Sequence, residues 1–305
     1  MIKKLPGIAI AIVFIITIIT ACKTKMGAAS KTVSFPAFDT EAHRGGRGLM
    51  PENTIPAMLN AIDLGVTTLE MDTHISGDRQ VVLSHDEFVN PLFSLSPEGK
   101  EIKPAEAPGF ALYKMKYADI AKFDVGSKFY KNFPQQKKMK VSMPLLSDLI
   151  DKVQSYLKAS GKPQVFYNIE TKCTEKDDNI YNPVPEVFVK LLMDVIEKKK
   201  ISQWVIIQSF DKRTLQVLNK KYPRIRTSYL IQNKNTLAEN LTDLGFTPFA
   251  YSPNYKLLSP ELVKECHAKG MKVVPWTVNT KEEIAQVKAL GVDGIISDYP
   301  GLLVP

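Results

Sequence analysis

The sequence predicts an α/β fold, a (β/α)8 barrel of the TIM type with a small insertion after its second strand region. Three observations predict it. Eight short β-rich runs alternate with seven runs whose apolar residues recur at helical spacing, the pattern of a parallel sheet with crossover helices. Glycines stop the helical runs at Gly65, Gly161, Gly245, Gly270 and Gly291, while Ser259-Pro260 and Asn279-Thr280 start them. Finally, Gly45-Gly46-Arg47-Gly48 lacks both the G-x-G-x-x-G spacing and the Walker lysine, so nothing favours the open, doubly wound alternative.

In chain order, strands are expected at Glu41–Gly45, Thr68–Ile75, Gln164–Lys172, Trp204–Phe210, Thr227–Ile231, Phe249–Ser252, Lys272–Val278 and Gly294–Ser297. Helices are expected at Pro51–Leu64, Pro144–Ala159, Pro185–Lys200, Asp211–Lys221, Thr236–Leu244, Pro260–Lys269 and Lys281–Leu290. One stretch breaks this rhythm. Val81–Asp86 reads as an extra strand, and about 87–143 is too long for a bare loop, so it is expected to be an insertion packed over one end of the barrel. Its Phe110, Tyr113, Phe123, Phe129, Tyr130 and Phe133 read as a small core of its own.

The start of the chain obeys different rules. Lys3 and Lys4 precede a compact apolar run, Ile8 to Ile19, ending in Thr20-Ala21-Cys22, as in a secretory leader too short to span a membrane comfortably. Residues 1–22 are therefore expected to be a signal. Cys22, directly after a small residue, resembles the lipobox cysteine of bacterial lipoproteins, which implies that it carries lipid. An ordinary signal peptide with an incidental cysteine, or an uncleaved anchor, is the plainer alternative. Residues 23–37 read as a tether and 38–305 as the barrel domain. The expected location is the cell envelope of an exporting bacterium, with the membrane contacted through the anchor. Cys173 and Cys266 are too few for a disulfide framework and are expected to be unpaired thiols.

Polar residues that interrupt apolar strands carry the chemistry. Period-2 alternation puts Glu70, Asp72 and His74 on one face of their strand, and Asn168, Glu170 and Lys172 on one face of the next. Interior carboxylates lose hydration and repel, so they need a cation or shared protons, and three oxygen donors suit Mg²⁺ or Ca²⁺. A salt bridge from Lys172 is the plainer alternative. His43 and His85 end strand-like runs near this acidic set and near Arg44, where one imidazole could take a proton and the other give one. His267 reads as a surface residue.

These residues occur in a longer ordered set: His43-Arg44-Gly45, Pro51-Glu52-Asn53-Thr54, Glu70-x-Asp72, His85-Asp86, Glu170-Thr171-Lys172, Gln208-Ser209-Phe210, Trp276-Thr277-Val278-Asn279 and Ser297-Asp298-Tyr299-Pro300. The set resembles the signature of the glycerophosphodiester phosphodiesterase family and spans residues 41 to 300. The resemblance implies a (β/α) barrel with an insertion after the His-Asp motif. It also implies His43 and His85 as the acid/base pair, and Glu70, Asp72 and Glu170 as ligands of a divalent cation. Arg44 and Lys172 would hold phosphate, and Trp276 would line the alcohol pocket. Two departures affect loops: Ser76-Gly77-Asp78-Arg79 replaces the family's Thr-Lys-Asp-Gly turn, and an extra Gly46-Arg47-Gly48-Leu49-Met50 stretch precedes Pro51.

The implied reaction is metal-dependent hydrolysis of a small glycerophosphodiester to an alcohol and sn-glycerol 3-phosphate, the alternative substrate being a lysophospholipid or another anionic phosphodiester. A glycosidase using Glu70 and Glu170 would leave His43, His85 and Arg44 without work. A non-catalytic solute-binding lipoprotein would not need the whole polar set intact. The chain has 40 Lys+Arg against 32 Asp+Glu, but its basic runs lack the aromatic interleaving of a nucleic-acid surface. Nothing in the sequence calls for an obligate protein partner.

Overall fold

The computed structural model describes residues 1–3 and 33–304, so Cys22 and most of the leader and tether lie outside the described residues. From Val33 onward the chain is one compact unit built on a parallel sheet. The strands are β1 (Asp39–Ala42), β2 (Thr68–Ile75), β3 (Val81–Leu83), β4 (Phe166–Thr171), β5 (Val205–Ser209), β6 (Arg226–Ile231), β7 (Ala250–Pro253), β8 (Lys272–Val273) and β9 (Gly294–Ser297). Eight of them run parallel in the order β8-β7-β6-β5-β4-β2-β1-β9, and β3 pairs antiparallel on β2. Backbone bonds from Val278 N to Ile296 O (3.0 Å), Ile296 N to Pro275 O (3.0 Å) and Asp293 N to Val273 O (2.9 Å) join the two ends and close the barrel.

Seven helices cover the outside between these strands: α1 (Ile55–Leu64), α3 (Leu146–Ser160), α4 (Pro185–Lys199), α5 (Lys212–Lys221), α6 (Leu237–Leu244), α7 (Pro260–Ala268) and α8 (Lys281–Ala289). A short α2 (Tyr117–Ile120) belongs to the insertion. The helix starts are chemically determined. Thr236 and Thr280 each accept from the backbone three residues on, while Glu239 and Glu283 reach back, two reciprocal capping boxes. Between sheet and helices the main core buries Met58, Leu69, Met71, Leu149, Ile169, Phe188, Leu192 and Ile207, so the apolar face of β2 does contact the helices and its carboxylates turn inward.

The elements match the sequence reading in number and order, with local differences. β1 ends at Ala42 rather than Gly45, because Arg44, Gly45 and Gly46 all have positive φ (52°, 80° and 87°) and turn the chain away. The expected strand Lys272–Val278 pairs as a ladder only at Lys272 and Val273. Pro275 interrupts it, although Trp276 N still donates to Pro253 O at 3.2 Å. The insertion has its own core of Val89, Ile102, Leu112, Ile120, Phe123, Val125 and Met143, with Phe110 packed against it. Tyr113 packs instead on the main core, and Phe129 is exposed. Cys173 and Cys266 are buried and unpaired, and His267 is a surface residue bonded to Asp293 at 2.7 Å.

Candidate active site

Every functional residue expected within the described chain comes to the C-terminal mouth of the barrel. His43, Arg44, Glu70, His85, Glu170, Lys172 and Trp276 line one cavity of about 130 Å³, together with Arg47, Gln208 and Phe210. Asp72 is 1% exposed beside it. In a parallel barrel this end collects the strand-to-helix connections, where chemistry is placed.

Register builds the acidic cluster. Asp72 pairs across the ladder with Glu170, two residues above Glu70, so inward-pointing side chains from β2 and β4 meet. One oxygen from each of Glu70, Asp72 and Glu170 lies within 4.8 Å of the others. Asp72 Oδ1 is buried without a hydrogen-bond partner. Burial, then the neighbouring charge of Asp72, pushes the Glu70 carboxyl well above its ordinary range. Burial raises Glu170 too, against the pull of Lys172 at 3.1 Å. Asp72 goes the other way: burial opposes its charge, but Arg44, His85 and Lys172 hold it far below the usual carboxylate range. Hard oxygens converging around an unpartnered carboxylate oxygen fit a divalent cation. The Lys172 salt bridge exists as well, but it satisfies only one of the three carboxylates.

Arg44 is more deeply built in than a phosphate clamp alone would be. It is 7% exposed, its backbone N–H donates to Glu70 at 2.6 Å, and its Nη1 donates to Glu52 at 2.8 Å. Its Nε lies 3.2 Å from Asp72 Oδ2. Asn53, at φ 55°, donates to Asp72 Oδ2 at 2.9 Å and accepts from Asp72 N at 3.1 Å, tying the turn before α1 to β2. Gln208 donates to Glu70 at 2.8 Å and accepts from Asn168, which also donates to Glu41, so a chain of side-chain amides runs from the mouth to the barrel floor. These partners orient the carboxylates as outer groups orient metal ligands. The quoted motifs contained Glu52, Asn53 and Gln208, but only the folded chain gives them these tasks.

The two histidines are each held through Nδ1 by a carboxylate. His43 bonds to Asp298 at 2.6 Å and His85 to Asp86 at 2.8 Å. Asp298 also accepts from Arg47 at 2.7 Å and from Asn279 at 2.8 Å. Against the cost of burial, His43 and Arg47 hold its carboxyl well below the usual range. The Nδ1–H of His43 therefore donates to an ionised oxygen, leaving the lone pair on Nε2. His74, the third polar residue of its strand face, does not join the site chemistry: it is buried, with Nε2 3.2 Å from the His85 carbonyl. Trp276 spends its indole N–H on the Ser252 carbonyl at 2.9 Å and meets Phe210 edge-on at 5.4 Å, so it offers the cavity an apolar ring.

Fixed cations, carboxylate-anchored imidazoles and converging oxygens at the mouth of a parallel barrel define a hydrolase of phosphoric esters. Comparison with known proteins makes the class specific. Residues 43–302 match the glycerophosphoryl diester phosphodiesterase family, and the chain belongs to it. A glycerophosphodiester phosphodiesterase of Caldanaerobacter subterraneus subsp. tengcongensis is 29% identical over 263 residues, covering 86% of this chain and 95% of that protein. A human lysophospholipase D is 24% identical over 85% of this chain and 82% of its own. A phosphodiesterase from Oleispira antarctica, solved with the product sn-glycerol-3-phosphate, shares the fold at a TM-score of 0.66 with 22% identity, covering 86% of this chain and 94% of that one.

Proposed function

We propose that the chain hydrolyses glycerophosphodiesters to an alcohol and sn-glycerol 3-phosphate, with a divalent cation (Mg²⁺ or Ca²⁺) on Glu70, Asp72 and Glu170. The observation that carries this reading is the three-carboxylate cluster with its unpartnered Asp72 oxygen, bordered in one cavity by His43, His85, Arg44 and Lys172. When bound, the cation would neutralise charge on the phosphoryl group as it grows. Arg44 and Lys172 attract and orient the anionic diester beside it. His43 Nε2, with its lone pair free, takes the proton of the nucleophile as its oxygen joins phosphorus and the bond to the alcohol oxygen breaks. The nucleophile is water, or the substrate's own glycerol hydroxyl, which gives a cyclic phosphate that water then opens. His85 gives a proton to the departing alkoxide, and Asp298 and Asp86 keep the two rings turned toward the cavity. Trp276 and Phe210 cover one side of the alcohol and exclude water from it. The test is a phosphodiester panel assayed with and without chelator, with both products identified. Turnover should vanish on chelation and return with Mg²⁺ or Ca²⁺. Full activity in a metal-free sample would overturn the cation.

A second substrate class is favoured by one feature. Phe210 is 42% exposed at the rim beside Trp276, an apolar landing for an acyl chain, and a relative is named for lysophospholipid cleavage. In the same panel, lysophospholipids outcompeting deacylated diesters would select this reading.

We also propose that the enzyme is exported and held in the cell envelope by lipid on Cys22, on the strength of the basic, apolar and small-residue order of residues 1–22. It should partition into detergent and incorporate labelled fatty acid, and Cys22→Ser should abolish both. Wild-type protein recovered unlabelled in the cytoplasm would overturn this.

A further inference from the structure

The stretch Gly46-Arg47-Gly48-Leu49-Met50 is clamped between the insertion and the barrel. Gln136 donates to the Arg47 carbonyl at 2.8 Å, and Lys137 N donates to Leu49 O at 2.8 Å. On the barrel side, Gly48 N donates to the Asp298 carbonyl at 2.9 Å, and a Cβ on Gly48 would collide with the Tyr299 ring. The guanidinium of Arg47 lies 4.9 Å from the Phe133 ring centre, and Phe133 in turn meets Tyr130 at 5.4 Å and Tyr299 at 6.4 Å. Arg47 Nε donates to Asp298 Oδ1, the same oxygen that receives His43 Nδ1.

The carboxylate that orients His43 is thus gripped from two sides. Asn279 holds its other oxygen from the barrel, and Arg47 holds the shared one with an aromatic brace from the insertion behind it. A planar guanidinium stacked on a ring fixes direction in a way that a lysine could not. Arg47 borders the cavity, but Phe133 does not.

We propose that Arg47, braced by Phe133 of the insertion, is a positioning residue that aims Asp298 and through it the His43 ring. The inference rests on the reading of His43 as a proton-transfer group. It makes the insertion part of the catalytic apparatus rather than a cover alone. Small misalignments at a reacting group can cost about 10²-fold, so losses of about that size or less are expected.

The experiment compares Arg47→Ala, Arg47→Lys, Phe133→Ala and Phe133→Tyr in the metal-loaded enzyme, with kcat, KM and pH profiles. Arg47→Ala should lower kcat by about 10–10²-fold with little change in KM, Arg47→Lys less, and Phe133→Ala by several-fold. Phe133→Tyr, which keeps the ring, should restore the rate. The charged and titratable groups around His43 are Asp298 beyond β9, Glu70 and Asp72 of β2, His85 beyond β3, Glu170 and Lys172 at the end of β4, and Arg44 and Arg47 of its own connection. Arg47 disfavours the imidazolium, so its removal should move the pH limb that reports His43 to higher pH. His43→Ala serves as the control. If it remains active, the acid/base reading fails. If it is inactive while Arg47→Ala, Arg47→Lys and Phe133→Ala keep wild-type kcat and an unmoved pH limb, the positioning role fails and the acid/base reading stands. Should Arg47→Ala not fold, Arg47→Lys and Phe133→Ala decide alone: wild-type kcat and pH limb in both would overturn the role.

Discussion

His43 and His85 border the same cavity and each gives Nδ1 to an aspartate, yet they are built differently. His85 and Asp86 are sequence neighbours, with side chains 33% and 25% exposed. His43 and Asp298 stand 255 residues apart, with side chains 13% and 3% exposed, and Asp298 has two further donors. The first pair is local and half-wet; the second is buried and assembled by the closure of the barrel. For the proton acceptor proposed above, the fixed arrangement sets the direction of the ring, while burial disfavours its charged form and so keeps it neutral before reaction. Burial outweighs Asp298 and leaves His43 below the ordinary histidine value of 6.5. Its ring is therefore neutral at neutral pH, the form the proposed proton acceptor requires.

The largest expected effect bears on both histidines at once. Glu70→Gln and Asp72→Asn should mimic chelation and remove turnover, since in the proposed mechanism either histidine works only on a diester already held and neutralised. Metal content by elemental analysis should fall with activity. Retained activity in both variants would dissolve the shared cavity as an explanation.

Next come the histidines themselves. His43→Ala and His85→Ala should each lose about 10²–10⁴-fold in rate, and the two losses should not multiply in the double variant. An activated nitrophenyl diester, whose leaving group needs no proton, separates them. It should rescue His85→Ala and leave His43→Ala slow. Rescue of the opposite variant would exchange the two roles.

The smallest effects concern the aspartates. Asp298→Asn should cost about tenfold or more and Asp86→Asn less, because the exposed pair can borrow water as a partner. The pH direction is fixed by sign. In the proposed mechanism neutral His43 is the working form, so activity should fall as pH drops through a limb lying below 6.5. Asp298→Asn removes a charge that favours the imidazolium, and should carry that limb to still lower pH. A limb that moves upward instead would show that Asp298 does not hold His43 in the working enzyme.

The same contrast explains what the sequence could announce. Period-2 alternation placed Glu70, Asp72 and Glu170 on inner faces because a strand's side-chain direction is local. The strand and helix runs were legible for the same reason. His85-Asp86 reads directly from adjacency. The His43–Asp298 bond depends on β1 lying beside β9, and the tasks of Glu52, Asn53, Gln208 and Arg47 depend on which loops meet at the mouth. Such contacts leave no periodic trace. The shortened ladder at β8 was missed because an apolar run resembles a strand even where Pro275 takes it out of the ladder.

The pairing of β1 with β9, in register from Asp39 opposite Gly294 to Ala42 opposite Ser297, sets an order on the life of each molecule. The chain grows from its N-terminal side, so His43 is made 255 residues before its partner. Until Asp298 has emerged and β9 has docked, a nascent or truncated chain can contain all three clustered carboxylates and both imidazoles and still lack the seam that holds one of them. On the proposed reading of His43, that seam is the last part of the site to form, and a chain cut short before β9 would be open along one side and without the carboxylate that holds this ring.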